Sequence, residues 1–142
     1  MNTGKLKRKE LTVNSRTENL SAIRDFVRAS AKEAGIKTDI IDNIMLAVDE
    51  ACTNIIKHAY NFFPDGKIKI QLSYNKKKFS VLITDYGSSF HPEKIPDPDL
   101  KVYFEQHRVG GLGMYLMKTL MDEVKYESVP GKYNQVLLSK NI

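Results

Sequence analysis

Apolar residues recur along this chain with two different periods, and the changes of period mark its elements. Lys9 to Asn14 (KELTVN) alternates weakly and predicts a first strand. Leu20, Ile23, Phe26, Val27 and Ala31 then return every three or four positions, the spacing of one helix face. Ser15 and Thr17 are suitable N-caps for that helix, and Glu18, Glu33 and Gly35 frame it. The strongest helical periodicity follows, from a cap at Thr38 to about Tyr60. Pro64-Asp65-Gly66 reads as a turn. Lys67 to Tyr74 places Ile68, Ile70, Leu72 and Tyr74 at alternate positions. Phe79 to Thr84 answers it after a lysine turn, so the two predict an antiparallel hairpin.

Both periods are lost after Asp85. Gly87, Ser88, Ser89, Pro92, Pro96 and Pro98 interrupt them as far as Gly113, with room for one helical turn over Leu100 to Gln106. A segment of that length without regular structure is uncommon in a compact domain and usually has a function. Leu112 to Met121 resumes helical spacing, and Val124 to Val129 and Gln135 to Ser139 predict two final strands around Pro130-Gly131. The order is strand, two helices, two strands, loop, helix, two strands. It predicts an α+β two-layer sandwich, with helices on one face of a mixed, mostly antiparallel sheet. With 142 residues and no repeat, a single domain is expected, ordered over about 10–140 behind a basic tail at 1–8.

Composition narrows the setting. No apolar run approaches the ~20 residues of a membrane span, and the start, MNTGKLKRKELTV, has neither the apolar stretch nor the cleavage site of a secretory signal. Cys52 is the single cysteine, which fits a reducing compartment, and the cytoplasm is expected. The net charge is +5, and much of it lies in Lys5, Lys7, Arg8 and Lys9 and in Lys76-Lys77-Lys78. A nucleic-acid surface calls for one stripe with interleaved aromatics. A tail and a turn instead read as solvated surface, or as a docking surface for an acidic partner.

Three segments can carry chemistry. In IIDNIMLAVDEACTNIIKHAY, Ile41, Ile44, Val48, Ala51, Ile55 and Ala59 share one face at roughly 100° per residue, widened by Met45, Cys52 and Ile56. Cys52 is therefore expected to be a small buried hydrophobe. The other face carries Asn43, Glu50, Asn54, Lys57 and His58; Glu50 and Asn54 are one turn apart and point the same way, a pair able to hold a cation or a water, while a plain solvated polar face is the alternative. Asp85-Tyr86-Gly87 follows the apolar run SVLIT; a carboxylate there can accept a hydrogen bond from a ligand amine, such as that of adenine, while a plain turn is the alternative. Arg108-Val109-Gly110-Gly111-Leu112-Gly113 opens a helix, where exposed N–H groups and the helix dipole favour phosphate, with a hinge as the alternative. It lacks the Gly-Lys-Ser/Thr of a Walker A loop.

Taken together and in order, these segments resemble the GHKL ATPase superfamily. Glu50-x-x-x-Asn54 matches its N box, Asp85-x-Gly87 its G1 box and Gly110-Gly111-Leu112-Gly113 its G2 box. DEACTNIIKHAY, DYGSSF and GGLGMYLMKTLMDEV resemble, more narrowly, the bacterial anti-sigma factor serine kinases of the RsbW and SpoIIAB type, over about Glu10 to Lys140. The resemblance implies the Bergerat ATP-binding fold, with ATP and Mg²⁺ as cofactors. It makes Glu50 the general base, Asn54 the Mg²⁺ ligand, Asp85 the adenine reader and Gly87 the position that lets the base approach. It makes 92–109 an ATP lid, and it brings Gly110, Gly111, Leu112 and Gly113 to the phosphates; Arg108 is placed to reach a phosphate, with a salt bridge in the lid as the equal alternative. His58 is expected to make a structural hydrogen bond. Relatives often use a Thr in the last strand to help fix the adenine; Gln135-Val136-Leu137-Leu138 has none, and Gln135 is the candidate replacement.

The implied activity is a serine/threonine protein kinase that binds a sigma factor, phosphorylates an anti-anti-sigma protein of the STAS type and acts as a homodimer, with no direct nucleic-acid or membrane partner. A nucleotide-dependent binding module without kinase activity and a stand-alone ATPase are the alternatives. A histidine kinase is disfavoured, because no helix pair carrying a phosphorylated His precedes the domain.

Overall fold

A computed structural model describes residues 5–91, 99, 101 and 113–142. Arg108, Gly110, Gly111, Leu112 and nearly all of the expected lid lie outside the described residues.

The elements are β1 (Lys7–Asn14), a 3₁₀ turn (Thr17–Asn19), α1 (Leu20–Glu33), α2 (Thr38–Asn54) with a π-helical turn at its end (Ile55–Ala59), β2 (Lys67–Tyr74), β3 (Lys78–Asp85), α3 (Gly113–Leu120), β4 (Glu123–Val129) and β5 (Tyr133–Asn141). The strands form one sheet in the order β1-β2-β3-β5-β4. Every pairing among them is antiparallel, more uniform than the mixed sheet expected. β1 starts inside the expected basic tail, so Lys7 and Arg8 are strand residues paired with Tyr74 and Ser73.

Strand alternation sorts the side chains into two faces. Ile68, Ile70, Leu72 and Tyr74 of β2 turn inward with Phe79, Val81 and Ile83 of β3 and Val136 and Leu138 of β5, and all are buried. They meet the apolar stripe of α2, where Ile41, Ile44, Met45, Val48, Ala51, Cys52, Ile55, Ile56 and Ala59 are buried as expected. Ile23, Val27 and Ala31 of α1 and Met114 and Met117 of α3 complete the layer. Burial pushes the Cys52 thiol up to about 12, with Asp49 adding to the effect, so it is an inert core group. Among the described residues, no helix is long and apolar enough to cross a membrane.

The expected caps act differently. Lys37, not Thr38, occupies the N-cap of α2, and no side chain caps it. Ser15 does not cap α1. It is buried, its hydroxyl donates to the Phe63 carbonyl (2.5 Å) and accepts from the Gly66 N–H (3.0 Å), and it thereby ties the end of β1 to the loop that leads into β2. Removing one partner of a buried hydrogen bond strands the others without water. Ser15→Ala is expected to cost about 1–3 kcal/mol in urea unfolding, with the secondary structure content unchanged by circular dichroism.

Candidate functional site

The site is organised by the C-terminal end of α2. Its last turn is π-helical, with the Tyr60 N–H reaching the Ile55 carbonyl (3.0 Å), five residues back. Such turns occur frequently at functional sites. The Ala59 carbonyl accepts the Ser88 N–H (2.8 Å), which docks the segment after β3 onto the helix end. A Cβ at Gly87 would sit 2.5 Å from that carbonyl oxygen, so the docking requires glycine before any ligand is considered. The Tyr60 hydroxyl completes the junction: it accepts from the Tyr86 N–H (2.9 Å) and the Lys67 N–H (3.1 Å) and donates to the Lys67 carbonyl (2.5 Å).

Asp85 ends β3 and is 1% exposed. Its Oδ1 accepts both the Gly87 N–H (3.0 Å) and an Asn134 side-chain N–H (2.9 Å). With both bonds on one oxygen, Oδ2 is left for a ligand donor. Burial raises the Asp85 carboxyl above its ordinary value of 3.8, and the bonds from Asn134 and Gly87 pull it part of the way back. Asn134 is itself fully engaged: its second N–H goes to the Ser88 carbonyl (3.0 Å), and its oxygen accepts from Ser128 Oγ (2.5 Å). Ala51, Ile55, Ile83, Phe90, Tyr126 and Val136 wall the space beside Asp85, a mainly apolar slot whose polar lining comes from Asp85 and from Glu127, Ser128, Asn134 and Gln135. Its volume is about 10 Å³, room for roughly one water. A flat aromatic ring therefore enters only by moving a wall, and Phe90, half-buried and on no regular element, is the wall side chain least held.

Glu50 and Asn54 lie next to the slot, each one residue before a slot-lining position, Ala51 and Ile55. The Glu50 carboxylate packs against the backbone of Gly113, where a Cβ would collide with it, at the start of α3. Negative charge is favoured at a helix N-terminus. The Asn54 amide N–H points to Met114 Sδ (3.9 Å), which leaves its oxygen as the atom able to ligate a cation. Among the described residues no group of three or more His, Cys, Asp or Glu could hold a metal. The Asn54 oxygen is a donor of the kind that hard cations such as Mg²⁺ take as a ligand.

The fold therefore lays two of the three motifs, Glu50/Asn54 and Asp85/Gly87, along α2, and brings Gly113 to the first. Arg108, Gly110, Gly111 and Leu112 fall outside the described residues. Two expectations are corrected. Gln135 contributes to the slot lining, but its side-chain amide donates to Thr84 Oγ1 (3.1 Å); the β5 residue bonded to Asp85 is Asn134, set opposite it by the register. A polar residue in the inward series Asn134, Val136, Leu138 was the signal for it. His58 makes no hydrogen bond among the described residues; it is exposed, with its ring 6.2 Å from that of Phe90.

The family model described as histidine kinase-like ATPase domain matches residues 13–140. The serine-protein kinase RsbW of Bacillus velezensis is 35% identical over 127 residues, 86% of this chain and 79% of that protein. The protein of the same name from Listeria monocytogenes is 35% identical over 119 residues, covering 81% and 76%. Among solved structures, the RsbU and RsbW domains of Rv1364c from Mycobacterium tuberculosis align with a TM-score of 0.67 at 15% identity, over 94% of this chain and 32% of that longer one. A chain of the SiaB–SiaC complex from Pseudomonas aeruginosa aligns at 0.59 and 17% identity, over 93% and 89%. At those identities the structural likeness is one of fold. Two independent findings, the family match across nearly the whole chain and the 35% identity to named kinases, agree with the Glu50/Asn54 and Asp85/Gly87 geometry: the chain belongs to the histidine kinase-like ATPase family, among the RsbW-type serine-protein kinases.

Proposed function

We propose that this protein is a cytoplasmic, ATP-dependent serine/threonine kinase and anti-sigma factor, which binds a sigma factor and phosphorylates a STAS-type anti-anti-sigma protein as a homodimer. The observation that carries the reading is the placement of Glu50. Its carboxylate packs against Gly113, and the next residue of α2, Ala51, lines a mainly apolar slot that Asp85 also lines. The names of the relatives support the kinase activity, and the SiaB–SiaC complex supports a role exercised on another protein.

In this reading Asp85 Oδ2 accepts the adenine amine, and Asn134 holds the carboxylate in place without touching the base. Arg108 and the N–H groups of Gly110, Gly111, Leu112 and Gly113 face the phosphates. Mg²⁺ held by the Asn54 oxygen would neutralise phosphate charge. Glu50 takes the proton from the substrate hydroxyl as its oxygen bonds to the terminal phosphorus, and the bond from that phosphorus to the ADP oxygen breaks. Phosphoryl transfer depends mainly on positioning and charge neutralisation; a positioned base adds ~10²–10⁴-fold.

Incubation with labelled ATP, Mg²⁺ and a STAS protein should transfer label to serine. Nucleotide binding without transfer would favour the binding module, and phosphate release without an acceptor would favour the ATPase. Glu50→Gln is expected to lower transfer ~10²-fold or more while ATP affinity, measured by calorimetry, stays within about threefold; lost affinity would make Glu50 a structural residue. Asp85→Asn should weaken adenine nucleotides far more than inorganic phosphate.

The raised Asp85 pKa also sets a pH dependence. The folded chain holds that proton more tightly than the unfolded chain, so the stability linked to it is present at low pH and is lost as pH rises through the window that starts at 3.8. Adenine affinity runs the other way and falls as pH drops through the same window. Asn134→Leu removes the larger of the two opposing bonds, so the carboxyl should titrate higher still by carbon NMR. An unmoved titration would show that Asn134 does not act on Asp85.

A further inference from the structure

The two basic clusters lie about seventy residues apart in the sequence and meet in the fold. Lys7 pairs with Tyr74 at the end of the β1–β2 ladder, beside the turn that carries Lys76, Lys77 and Lys78. Lys5, Lys7 and Lys76 line one cleft of about 220 Å³ with Tyr74, Asn75 and Glu33. The turn is held in shape, because Asn75 Oδ1 accepts the N–H groups of Lys77 (2.8 Å) and Lys78 (3.0 Å) and the Ile142 N–H closes on the Lys77 carbonyl (2.9 Å). Glu33 bridges Lys7 (3.5 Å) and Lys9, so one carboxylate is shared between two ammonium groups.

The charge is segregated rather than spread. Lys5, Lys7, Arg8, Lys9, Lys76, Lys77 and Lys78 are seven cations with two acids beside them, Glu33 and Asp122, whose Oδ2 accepts the N–H of Asn141 opposite Lys78; without these nine residues the chain has 15 basic and 15 acidic side chains. This end of the sheet thus holds the net charge of +5, and the rest of the chain is neutral. Like charges so gathered repel one another and raise the local affinity for anions. The patch is also remote from the nucleotide site: β3 runs from Lys78 at one end to Asp85 at the other, seven residue steps or ~23 Å.

Two features select a polypeptide as the anion. β1 lies at the sheet's edge and, among the described residues, pairs only with β2, so its outer main-chain groups are open to pairing with an extended segment of another chain. Six of the seven cations are Lys, point charges without the fork that grips phosphate in two bonds, and among the described residues no exposed aromatic stands beside them to stack a base. Edge lysines also repel a second copy of the same strand, so the partner is acidic and not this chain itself.

We propose that the start of β1, the Lys76–Lys78 turn and the cleft between them dock an acidic segment of a partner protein, on a surface separate from the nucleotide site. Fluorescence anisotropy with a short labelled peptide of repeated Glu-Gly, at low and at physiological salt, tests this on the full chain. Wild type binds, and binding weakens with salt. Lys7→Glu with Lys76→Glu weakens it about tenfold or more. Lys76→Gln with Lys77→Gln, confined to the exposed turn, weakens it in the same direction and guards against a folding defect in the first variant. Lys125→Glu with Lys132→Glu, an equal charge change on β4 and the β4–β5 turn, stays within about twofold of wild type. Equal loss in both charge-reversal pairs, no binding by wild type, or tighter binding of duplex DNA or phosphatidylserine vesicles than of the peptide would each overturn the proposal.

Discussion

A buried carboxylate needs donors, and the need of Asp85 for them organises one end of this molecule. Taking a charged group out of water is costly unless hydrogen bonds replace the lost solvation. Gly87 and Asn134 supply them to a single oxygen, and each then commits a further part of the chain. Gly87 lies against the Ala59 carbonyl, which ties the segment after β3 to the π turn of α2. Asn134 reaches on to Ser88 and Ser128, which ties that segment to β5 and β4. One acidic group thereby joins three strands and a helix end, and it keeps one oxygen for something else.

Helix α2 links that junction to the rest of the site. Its wide apolar stripe must face the sheet, since burying it is the main gain available to an amphipathic helix. Once that face is set, Glu50 and Asn54 emerge along its edge toward the start of α3, next to the slot that Ala51 and Ile55 wall. The placement of this polar pair follows from core packing. The polar pair is presented where it is because the apolar residues beside it have nowhere else to go.

The sheet also separates the molecule's electrostatics. Its Asp85 end holds a buried acid beside a mainly apolar slot, while its Lys78 end gathers the excess positive charge. Strands of eight residues hold these ends roughly 23 Å apart, beyond the ~8 Å over which exposed charges act at physiological salt. A partner on the basic end and a nucleotide at the acidic end can therefore be bound together without direct interference.

Much of this was legible in the chain alone. Among the described residues, period and turn chemistry located each helix and strand to within a few residues, because side-chain burial dictates those periods directly. The buried face of α2 and the Glu50/Asn54 and Asp85/Gly87 pairs were readable for the same reason: they are local patterns. What the tertiary structure decided was which distant residues meet. No local signal sets Asn134 rather than Gln135 opposite Asp85; a strand register does, and one step of slip would exchange their faces. Ser15 looked like a cap because its neighbours in sequence suit one, yet its partners, Phe63 and Gly66, come from a loop some fifty residues away. The two lysine clusters looked like a tail and a turn, and only the β1–β2 pairing makes them one surface. Local pattern determined the elements and the chemistry that each carries. Register and packing determined the partners, because those depend on residues far apart in the chain.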